Sequence, residues 1–341
     1  MKTFKPRGSP LPPGLALIAL LVGTTVAAAG IQGVGFRELQ MKDPVGGGPM
    51  GGLVFYPATE ATSPLPVGLH RVDAGRDLTL VPGRYPLVIV SHGHGGWRWG
   101  HHNLATALAR EGFVVATVDH PGDNFRDTSG AGTDAVWLGR AAHLRGLLDA
   151  VLADATVGSS VDPGRVGALG FSAGGYSVLL LAGGVPDFGR LERHCRTKKK
   201  EFICEALGKV RVTRPDLKAG AEPRVRAVFS MAPVGVFFDK AGLKNVKVPV
   251  RLYAAAKDEV LPLADHAAHV KASLPTPPEY TLVPRAGHFV FLAPCTKEGK
   301  EEAADLCTDP PGVDREKLHR ELAADAVRFF TRTLAPAASS P

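Results

Sequence analysis

The sequence predicts an α/β protein built on a mainly parallel, eight-stranded sheet flanked by helices. Short apolar runs rich in β-branched residues recur along the chain, and most are followed by a turn and then by a segment with helical spacing of its apolar residues. A chain of 341 residues with 45% hydrophobic content can bury one large core. We therefore expect one domain over residues 30–334 that carries an insertion.

Eight apolar runs are the predicted strands, and five amphipathic segments are the predicted helices. The first two strands form an antiparallel pair around a glycine-rich turn at 46–48, and the other six alternate with helices. The strands are predicted at 36–41, 53–56, 87–90, 114–118, 166–169, 225–230, 250–253 and 280–283. The helices are predicted at 102–110, 134–152, 175–181, 263–274 and 314–334.

One stretch interrupts this alternation. Residues of about 186–222 are basic and contain two cysteines. We interpret them as a small cap, or lid, over the carboxyl edge of the sheet, with a solvated surface excursion as the alternative. The Pro/Ala/Ser composition of 335–341 predicts a disordered tail.

The N-terminus has the composition of a secretory signal peptide. Lys2, Lys5 and Arg7 precede an apolar run that ends in three alanines before Gly30. We expect residues 1–29 to be cleaved near Ala29 and the protein to be exported to the periplasm or the medium. The alternative is an uncleaved anchor, but the run is shorter than the roughly 20 residues that a span needs. After cleavage we expect no stable membrane insertion.

The charge of the chain gives no sign of a nucleic-acid partner. The formal charge of +7 falls to +4 once the three basic residues of the leader are removed. This excess is small and scattered along the sequence, whereas nucleic-acid-binding proteins concentrate basic residues in patches.

The four cysteines, Cys195, Cys204, Cys295 and Cys307, are expected to form disulfides, because thiols of an exported chain meet an oxidising compartment. The short separations favour Cys195 with Cys204 and Cys295 with Cys307, and a cross-pairing between the two loops remains open. Metal binding is the weaker interpretation, because none of the spacings is C-x-x-C.

The segment Gly170-Phe171-Ser172-Ala173-Gly174 lies where a predicted strand ends and a predicted helix begins. This is the position of a nucleophile elbow, a sharp strained turn that exposes a serine hydroxyl. The flanking glycines remove Cβ atoms that would collide with the neighbouring backbone. The context predicts that Ser172 is a catalytic nucleophile.

A serine hydroxyl needs a histidine to remove its proton and an acid to orient that histidine. In this arrangement the acid and the histidine follow the serine in the sequence. Asp258 follows the strand at 250–253 and is the predicted acid, with Glu259 as its rival. His288 follows the last strand and is the predicted base. His266 and His269 lie on a predicted helix face, where we expect them at the surface.

An oxyanion needs two preorganised N–H donors. Ala173, directly after the serine, is expected to supply one from its backbone, and His94 in the glycine-rich loop after the strand at 87–90 is expected to supply the other. A rival hypothesis makes an H-x-H metal site of His92 and His94. It would recruit further histidines, His101, His102 or His120. We expect neither a metal nor an organic cofactor.

The pocket beside these groups is expected to include Phe171 and Phe289, neighbours of Ser172 and His288. The loop 119–123 follows the strand at 114–118, at the carboxyl edge where open α/β sheets bind ligands. His120 in this loop is the third predicted pocket residue. The alternative is a hydrogen-bonded loop without substrate contact.

With these groups in place, the chain resembles the α/β-hydrolase superfamily. Within it, the chain resembles the exported dienelactone-hydrolase-like and platelet-activating-factor-acetylhydrolase-like esterases. The segments that carry the resemblance are Gly35-Phe36-Arg37, Val54-Phe55-Tyr56-Pro57, Ser91-His92-Gly93-His94-Gly95, Asp119-His120-Pro121-Gly122, the 170–175 elbow, Gly287-His288-Phe289 through Pro294-Cys295, and Cys307 with Asp314-Arg315 and His319.

The resemblance implies the α/β-hydrolase fold and hydrolysis of short-chain esters or lactones through an acyl-enzyme on Ser172, with a small-molecule ester as the partner. Dienelactone hydrolases proper use a cysteine where this chain has Ser172, so lactone opening does not follow from the family name. The alternatives are a secreted peptidase or amidase on the same fold and a catalytically inactive binding protein. The sequence predicts no particular oligomeric state.

Overall fold

The structure is a computed structural model that describes Met1 and residues 30–336. The predicted signal peptide, apart from Met1, lies outside the described residues, as do residues 337–341 of the predicted tail. None of the described helices is long and apolar enough to cross a membrane.

A nine-stranded sheet forms the centre of the part of the chain that the structure describes, and β3 and β4 form a separate pair. The strands are β1 (Gly33–Lys42), β2 (Pro49–Ala58), β3 (Pro64–Val67), β4 (His70–Asp73), β5 (Gly75–Arg76), β6 (Tyr85–Ser91), β7 (Val114–Val118), β8 (Val161–Phe171), β9 (Val225–Met231), β10 (Val250–Ala255) and β11 (Glu279–Val283). Their order across the large sheet is β11-β10-β9-β8-β6-β7-β2-β1-β5.

The predicted mainly parallel sheet is confirmed. β2 is antiparallel to both β1 and β7, whereas every pair from β7 through β6 and β8 to β11 is parallel. Each of the eight predicted strands overlaps a strand of this sheet. The ninth strand, β5, consists of two residues that pair with β1.

Helices cover both faces of the sheet. They are α1 (His102–Arg110), α2 (Asp134–Ala153), α3 (Ala173–Leu181), α4 (Gly189–Cys195), α5 (Phe202–Ala206), α6 (Lys240–Leu243), α7 (Ala267–Ser273), α8 (Lys297–Glu302), α9 (Ala304–Cys307) and α10 (Arg315–Thr333). Along β6, Leu87 and Ile89 join one core with α2 and α3, and Val88 and Val90 join another with α1 and α10. Successive strand residues point to opposite faces, so a sheet covered on both sides requires the continuous apolar runs seen in the sequence.

The predicted helix at 263–274 is shorter in the structure, and the surface position expected for His266 is wrong. α7 begins only at Ala267, and His266 immediately before it is fully buried. Its Nδ1 accepts a hydrogen bond from the backbone N–H of Gly235 at 3.2 Å. A Cβ on Gly235 would collide with the His266 backbone, so the two segments are in close contact. His269 is half-buried, with its Nε2 2.7 Å from the carbonyl oxygen of Phe238.

Two disulfides close two loops on the same side of the sheet. Cys195 at the end of α4 pairs with Cys204 in α5, and Cys295 pairs with Cys307 at the end of α9. This is the pairing that the short separations favour. The first disulfide lies within the stretch 186–222.

Two adjacent histidines are buried at the start of α1. His101 is 2% exposed and His102 is 4% exposed, and their ring nitrogens have no hydrogen-bond partner among the described residues. Burial penalises the charged imidazolium and lowers the pKa of each to about 3. His266 has its pKa lowered to about 3 for the same reason.

Because these histidines are buried in the neutral form, we predict that the free energy of unfolding falls as the pH is lowered. Their pKa is about 3 in the folded protein, against 6.5 for an unperturbed histidine, so below pH 6.5 only the unfolded chain takes up the protons. We expect the free energy of unfolding to fall between about pH 6.5 and about pH 3. Each such histidine contributes up to about 1.4 kcal/mol per pH unit.

Urea denaturation at several pH values measures this dependence. His102→Phe removes one of the titrating groups and is expected to reduce the slope of stability against pH over the same range. An equal slope for the variant and the parent protein would contradict the assignment.

Candidate active site

Ser172 lies in a strained turn between β8 and α3. Its φ of 56° and ψ of −118° fall in a region that residues other than glycine rarely occupy. The turn is tightly enclosed: a Cβ on Gly174 would collide with the carbonyl oxygen of Ser91 on β6, and one on Gly170 with the carbonyl oxygen of Gly174. The glycines therefore allow β6, β8 and α3 to come together with the serine at their meeting point.

The structure brings Ser172, His288 and Asp258 into one hydrogen-bonded chain. The Nε2 of His288 lies 3.0 Å from the Oγ of Ser172, and its Nδ1 lies 2.8 Å from the Oδ2 of Asp258. Asp258 follows β10 and His288 follows β11, so both come from loops at the carboxyl ends of parallel strands. Ser172 is 8% exposed and His288 is 2% exposed, so the serine is the more accessible end of this hydrogen-bonded series of side chains.

Asp258 and Glu259 have different partners. The Oδ1 of Asp258 accepts hydrogen bonds from the backbone N–H groups of Val260 and Leu261, at 3.1 and 2.7 Å, which fixes the other oxygen towards the imidazole. The Glu259 carboxylate instead accepts from the backbone N–H of His288 at 3.1 Å. Glu259 therefore holds the loop that carries His288, and Asp258 contacts the ring.

The two predicted oxyanion donors belong to segments next to Ser172. Ala173 is the first residue of α3, where backbone N–H groups have no partner within the helix. The loop after β6 also lies close to Ser172, because a Cβ on Gly93 would be 3.3 Å from the Cβ of Ser172. Among the described residues, no backbone acceptor is bonded to the N–H of Ala173 or of His94.

A buried ion pair holds the loop that contains His94. Arg140 on α2 is fully buried, and its Nη1 lies 2.6 Å from the Oδ2 of Asp123. Arg140 also donates to the carbonyl oxygen of His92, and the Oδ1 of Asp123 accepts from the N–H of Gly95 at 3.2 Å and pairs with the imidazole of His94. Both partners thus bind the backbone of one loop.

The charge of Asp123 depends on its neighbours. Burial alone would raise the pKa of its carboxyl group, but the guanidinium of Arg140 and the hydrogen bond from His94 hold that pKa well below its usual range. Sequence reasoning missed Arg140. One feature of the sequence points to it: this arginine lies between Gly139 and Ala141 on the buried side of a helix. A buried charge is costly without a partner, so an acidic partner is expected there.

His120 does not line the cavity above Ser172, so its prediction as a pocket residue is corrected. It is fully buried, with its Nε2 2.9 Å from the Oγ of Ser91 and its Nδ1 3.2 Å from the Nδ1 of His143. This side chain therefore packs between the end of β6 and α2. Burial lowers its pKa well below that of a free histidine.

A cavity of about 840 Å³ opens above Ser172. Ser172, His288, Phe171 and Phe289 line it, together with His94 and Ala173. The Cys195–Cys204 loop and the Cys295–Cys307 loop supply further parts of its wall. The hydroxyl group and both disulfide-closed loops therefore border the same cavity.

His92 and His94 do not form an H-x-H metal site with the other candidate histidines. His92 directs Nδ1 to the carbonyl oxygen of Gly93 and accepts from the N–H of His120 through Nε2. Within residues 30–336, the group of potential ligands that approaches metal-binding geometry is a different one: His194, Glu201 and Asp265. The Nζ of Lys198 lies 3.4 Å from Glu201 and 3.5 Å from Asp265, so an ammonium group already bridges these carboxylates.

The buried pair predicts a large loss of stability when one partner is neutralised. Asp123→Asn leaves the Arg140 guanidinium buried without a counter-charge, and we expect it to lower the free energy of unfolding by about 3–5 kcal/mol. Urea denaturation measures the change. Asp216→Asn is the matched control, because Asp216 pairs with Arg214 at the surface, with 61% of its side chain exposed, and such pairs contribute little. Equal effects of the two substitutions would contradict the role given to the buried pair.

Comparisons with known proteins find similarity in sequence over part of the chain and similarity in fold over most of it. Residues 60–142 match the family model for platelet-activating factor acetylhydrolase, isoform II. A stretch of 78 residues is 41% identical to Lipase 1 of Moraxella sp. (strain TA144); it covers 22% of this chain and 20% of that protein. The chain thus spans about a fifth of the length of this curated relative.

The whole fold is similar to that of a solved esterase. The structure of a ferulic acid esterase from Streptomyces cinnamoneus superposes with a TM-score of 0.61 and 21% sequence identity, covering 93% of this chain and 95% of that one. The α/β-hydrolase fold that the sequence predicts is confirmed.

Proposed function

We propose that the protein is a serine hydrolase that cleaves carboxylic esters through an acyl-enzyme intermediate. The observation that carries the proposal is the hydrogen-bonded chain of Ser172, His288 and Asp258 at the floor of an open cavity. A buried imidazole between a hydroxyl and a carboxylate is the arrangement that makes a serine nucleophilic at neutral pH.

In the acylation step, the Oγ of Ser172 attacks the ester carbonyl carbon while the Nε2 of His288 takes the hydroxyl proton. Asp258 accepts from Nδ1–H, which fixes the tautomer and stabilises the imidazolium that forms. When the tetrahedral intermediate collapses, the imidazolium returns its proton to the leaving oxygen. The alcohol departs and the acyl group remains on Ser172.

In the deacylation step, His288 takes a proton from water, and the resulting hydroxide attacks the acyl carbon. The imidazolium then protonates Oγ, which restores the serine and releases the carboxylic acid. The negative oxygen formed in both steps is held by the backbone N–H groups of Ala173 and His94. The N-terminus of α3, which carries a partial positive charge, also stabilises this negative oxygen.

The names of the similar proteins favour esters over other acyl compounds. The family model describes an acetylhydrolase, the sequence relative is a lipase and the structural neighbour is a ferulic acid esterase. We keep short-chain esters and lactones as the proposed substrates. A peptidase or amidase would use the same acyl-transfer groups, and an inactive binding protein would retain only the fold.

Substitution of the nucleophile tests the mechanism. Ser172→Ala is expected to abolish labelling by a fluorophosphonate probe and to lower the turnover of p-nitrophenyl acetate by several orders of magnitude. Ser159→Ala, an exposed serine just before β8, is the control and is expected to react like the parent protein. Retained labelling and turnover in Ser172→Ala would overturn the proposal.

A matched pair of substrates separates the alternatives. p-Nitrophenyl acetate and the corresponding p-nitroanilide differ only in the leaving group, and the expected result is turnover of the ester with no measurable turnover of the anilide. Measurable turnover of the anilide would favour an amidase or peptidase, and hydrolysis of neither would favour a binding protein.

We also propose that the protein is exported and that residues 1–29 are removed. The two disulfides support this, because such bonds persist in oxidising compartments. Expression of the full chain in a bacterium, followed by cell fractionation and mass spectrometry of the N-terminus, tests the proposal. We expect a periplasmic or secreted chain that begins near Gly30; an intact Met1 in the cytoplasm would contradict it.

A further inference from the structure

The cavity above Ser172 is far larger than a short acyl group requires. Its volume of about 840 Å³ is in the upper part of the range for pockets that bind whole small molecules. An acetyl group attached to Ser172 would fill only a small part of it. The remaining space has to accommodate another part of the substrate, or water against apolar walls.

The chemistry of the walls disfavours an anionic group near Ser172. Of the residues that the structure describes, the carboxylates of the lining are Asp123, which is paired with Arg140, and the exposed Glu302. The lining of the cavity includes the apolar side chains of Phe171, Val234, Leu261 and Phe289. Among the described residues, Arg126 is the only lysine or arginine that lines the cavity. Arg126 is exposed and lies over the ring of Phe125 at 4.9 Å, so no buried cation is present to bind a carboxylate.

Three large apolar side chains at this cavity are exposed. Phe125 is 50% exposed, Phe202 is 52% exposed and Leu306 is 39% exposed. They account for three of the seven exposed large hydrophobic residues in the described part of the chain. Apolar groups that gather at one opening instead of scattering over a surface are typical of a binding site.

The two disulfide-closed loops carry the side chains at the opening. Phe202 and Ile203 lie within the loop closed by Cys195–Cys204, and both face the cavity. The same loop is tied to the body of the protein through Lys198, which lies 3.5 Å from Asp265. On the other loop, Leu306 and the bonded cysteines Cys295 and Cys307 line the cavity.

We propose that the two disulfide-closed loops form a binding site for a large, uncharged, apolar part of the ester, next to the acyl-transfer centre. Phe202 and Leu306 are the residues that contact this part and set the preference for size. The proposal rests on the proposed esterase function. It adds a substrate class, neutral esters with one bulky apolar side, and it assigns selectivity to residues outside the catalytic groups.

Two substrate series test the size preference. In one, the acyl group of a p-nitrophenyl ester grows from acetate to hexanoate; in the other, the alcohol of an acetate ester grows from ethyl to 2-naphthylmethyl. We expect kcat/KM to rise at least about tenfold along one series, because each fully buried methylene contributes a factor of about four. In the acyl series, a p-nitrophenyl hemisuccinate, which carries a carboxylate, is expected to react more slowly than the butyrate.

The loop residues are tested by the ratio of kcat/KM for the largest substrate to that for the smallest. Phe202→Ala and Leu306→Ala are expected to lower this ratio at least about fivefold. Leu282→Ala is the control for Leu306, because Leu282 is 41% exposed on β11, away from the cavity. Val212→Ala is the control for Phe202, because Val212 is 68% exposed in the same insertion and does not line the cavity. Both controls are expected to keep the parent ratio.

The outcomes separate this inference from the proposed function. Hydrolysis of the smallest esters with no rise along either series would overturn the binding site and leave the esterase function intact. An unchanged ratio in Phe202→Ala and Leu306→Ala, or an equal fall in the two controls, would overturn the role of the loops. Absence of ester hydrolysis throughout would overturn the proposed function itself.

Discussion

The arrangement of the whole site depends on the close contact of three backbones at Ser172. The end of β6, the end of β8 and the start of α3 approach so closely that a single Cβ on Gly174 would collide with the carbonyl oxygen of Ser91. This contact forces Ser172 into a positive φ and brings the loop after β6 beside it. The nucleophile and both candidate oxyanion donors are therefore positioned by main-chain geometry, before any side chain of the site contributes.

Buried side chains stabilise this main-chain geometry. The buried pair of Arg140 and Asp123 binds the backbone of the loop that carries His94. Burying two charges is costly in itself, so such a pair adds little stability compared with apolar packing. What it supplies is orientation: a guanidinium and a carboxylate have fixed directions of hydrogen bonding, and apolar contacts have none.

The sequence was most informative where a local pattern determines the structure. The strands followed from continuous apolar runs, because a parallel sheet is buried on both faces. Ser172, Asp258 and His288 followed from their positions just after strands, since the carboxyl ends of parallel strands meet at one edge. The structure brings these three residues together.

Depth within the structure was harder to predict. His120 and His266 are both fully buried, although one was expected in the pocket and the other at the surface. Helical or strand periodicity indicates which face a residue occupies, but not how much of the protein covers that face. Arg140 was missed for the same reason, because its partner Asp123 lies on a different element and only the tertiary fold brings them together.

The two disulfides divide the site into parts that are completed at different times. The sheet and its strained serine can form in any compartment, because their assembly needs only hydrogen bonds and apolar packing. The cavity walls are covalently closed only after the thiols meet an oxidant. In a reducing compartment, the acyl-transfer groups would therefore lie beside loops that no disulfide closes. For a chain that is exported as proposed, oxidation of the four cysteines would complete the cavity walls after the sheet has formed.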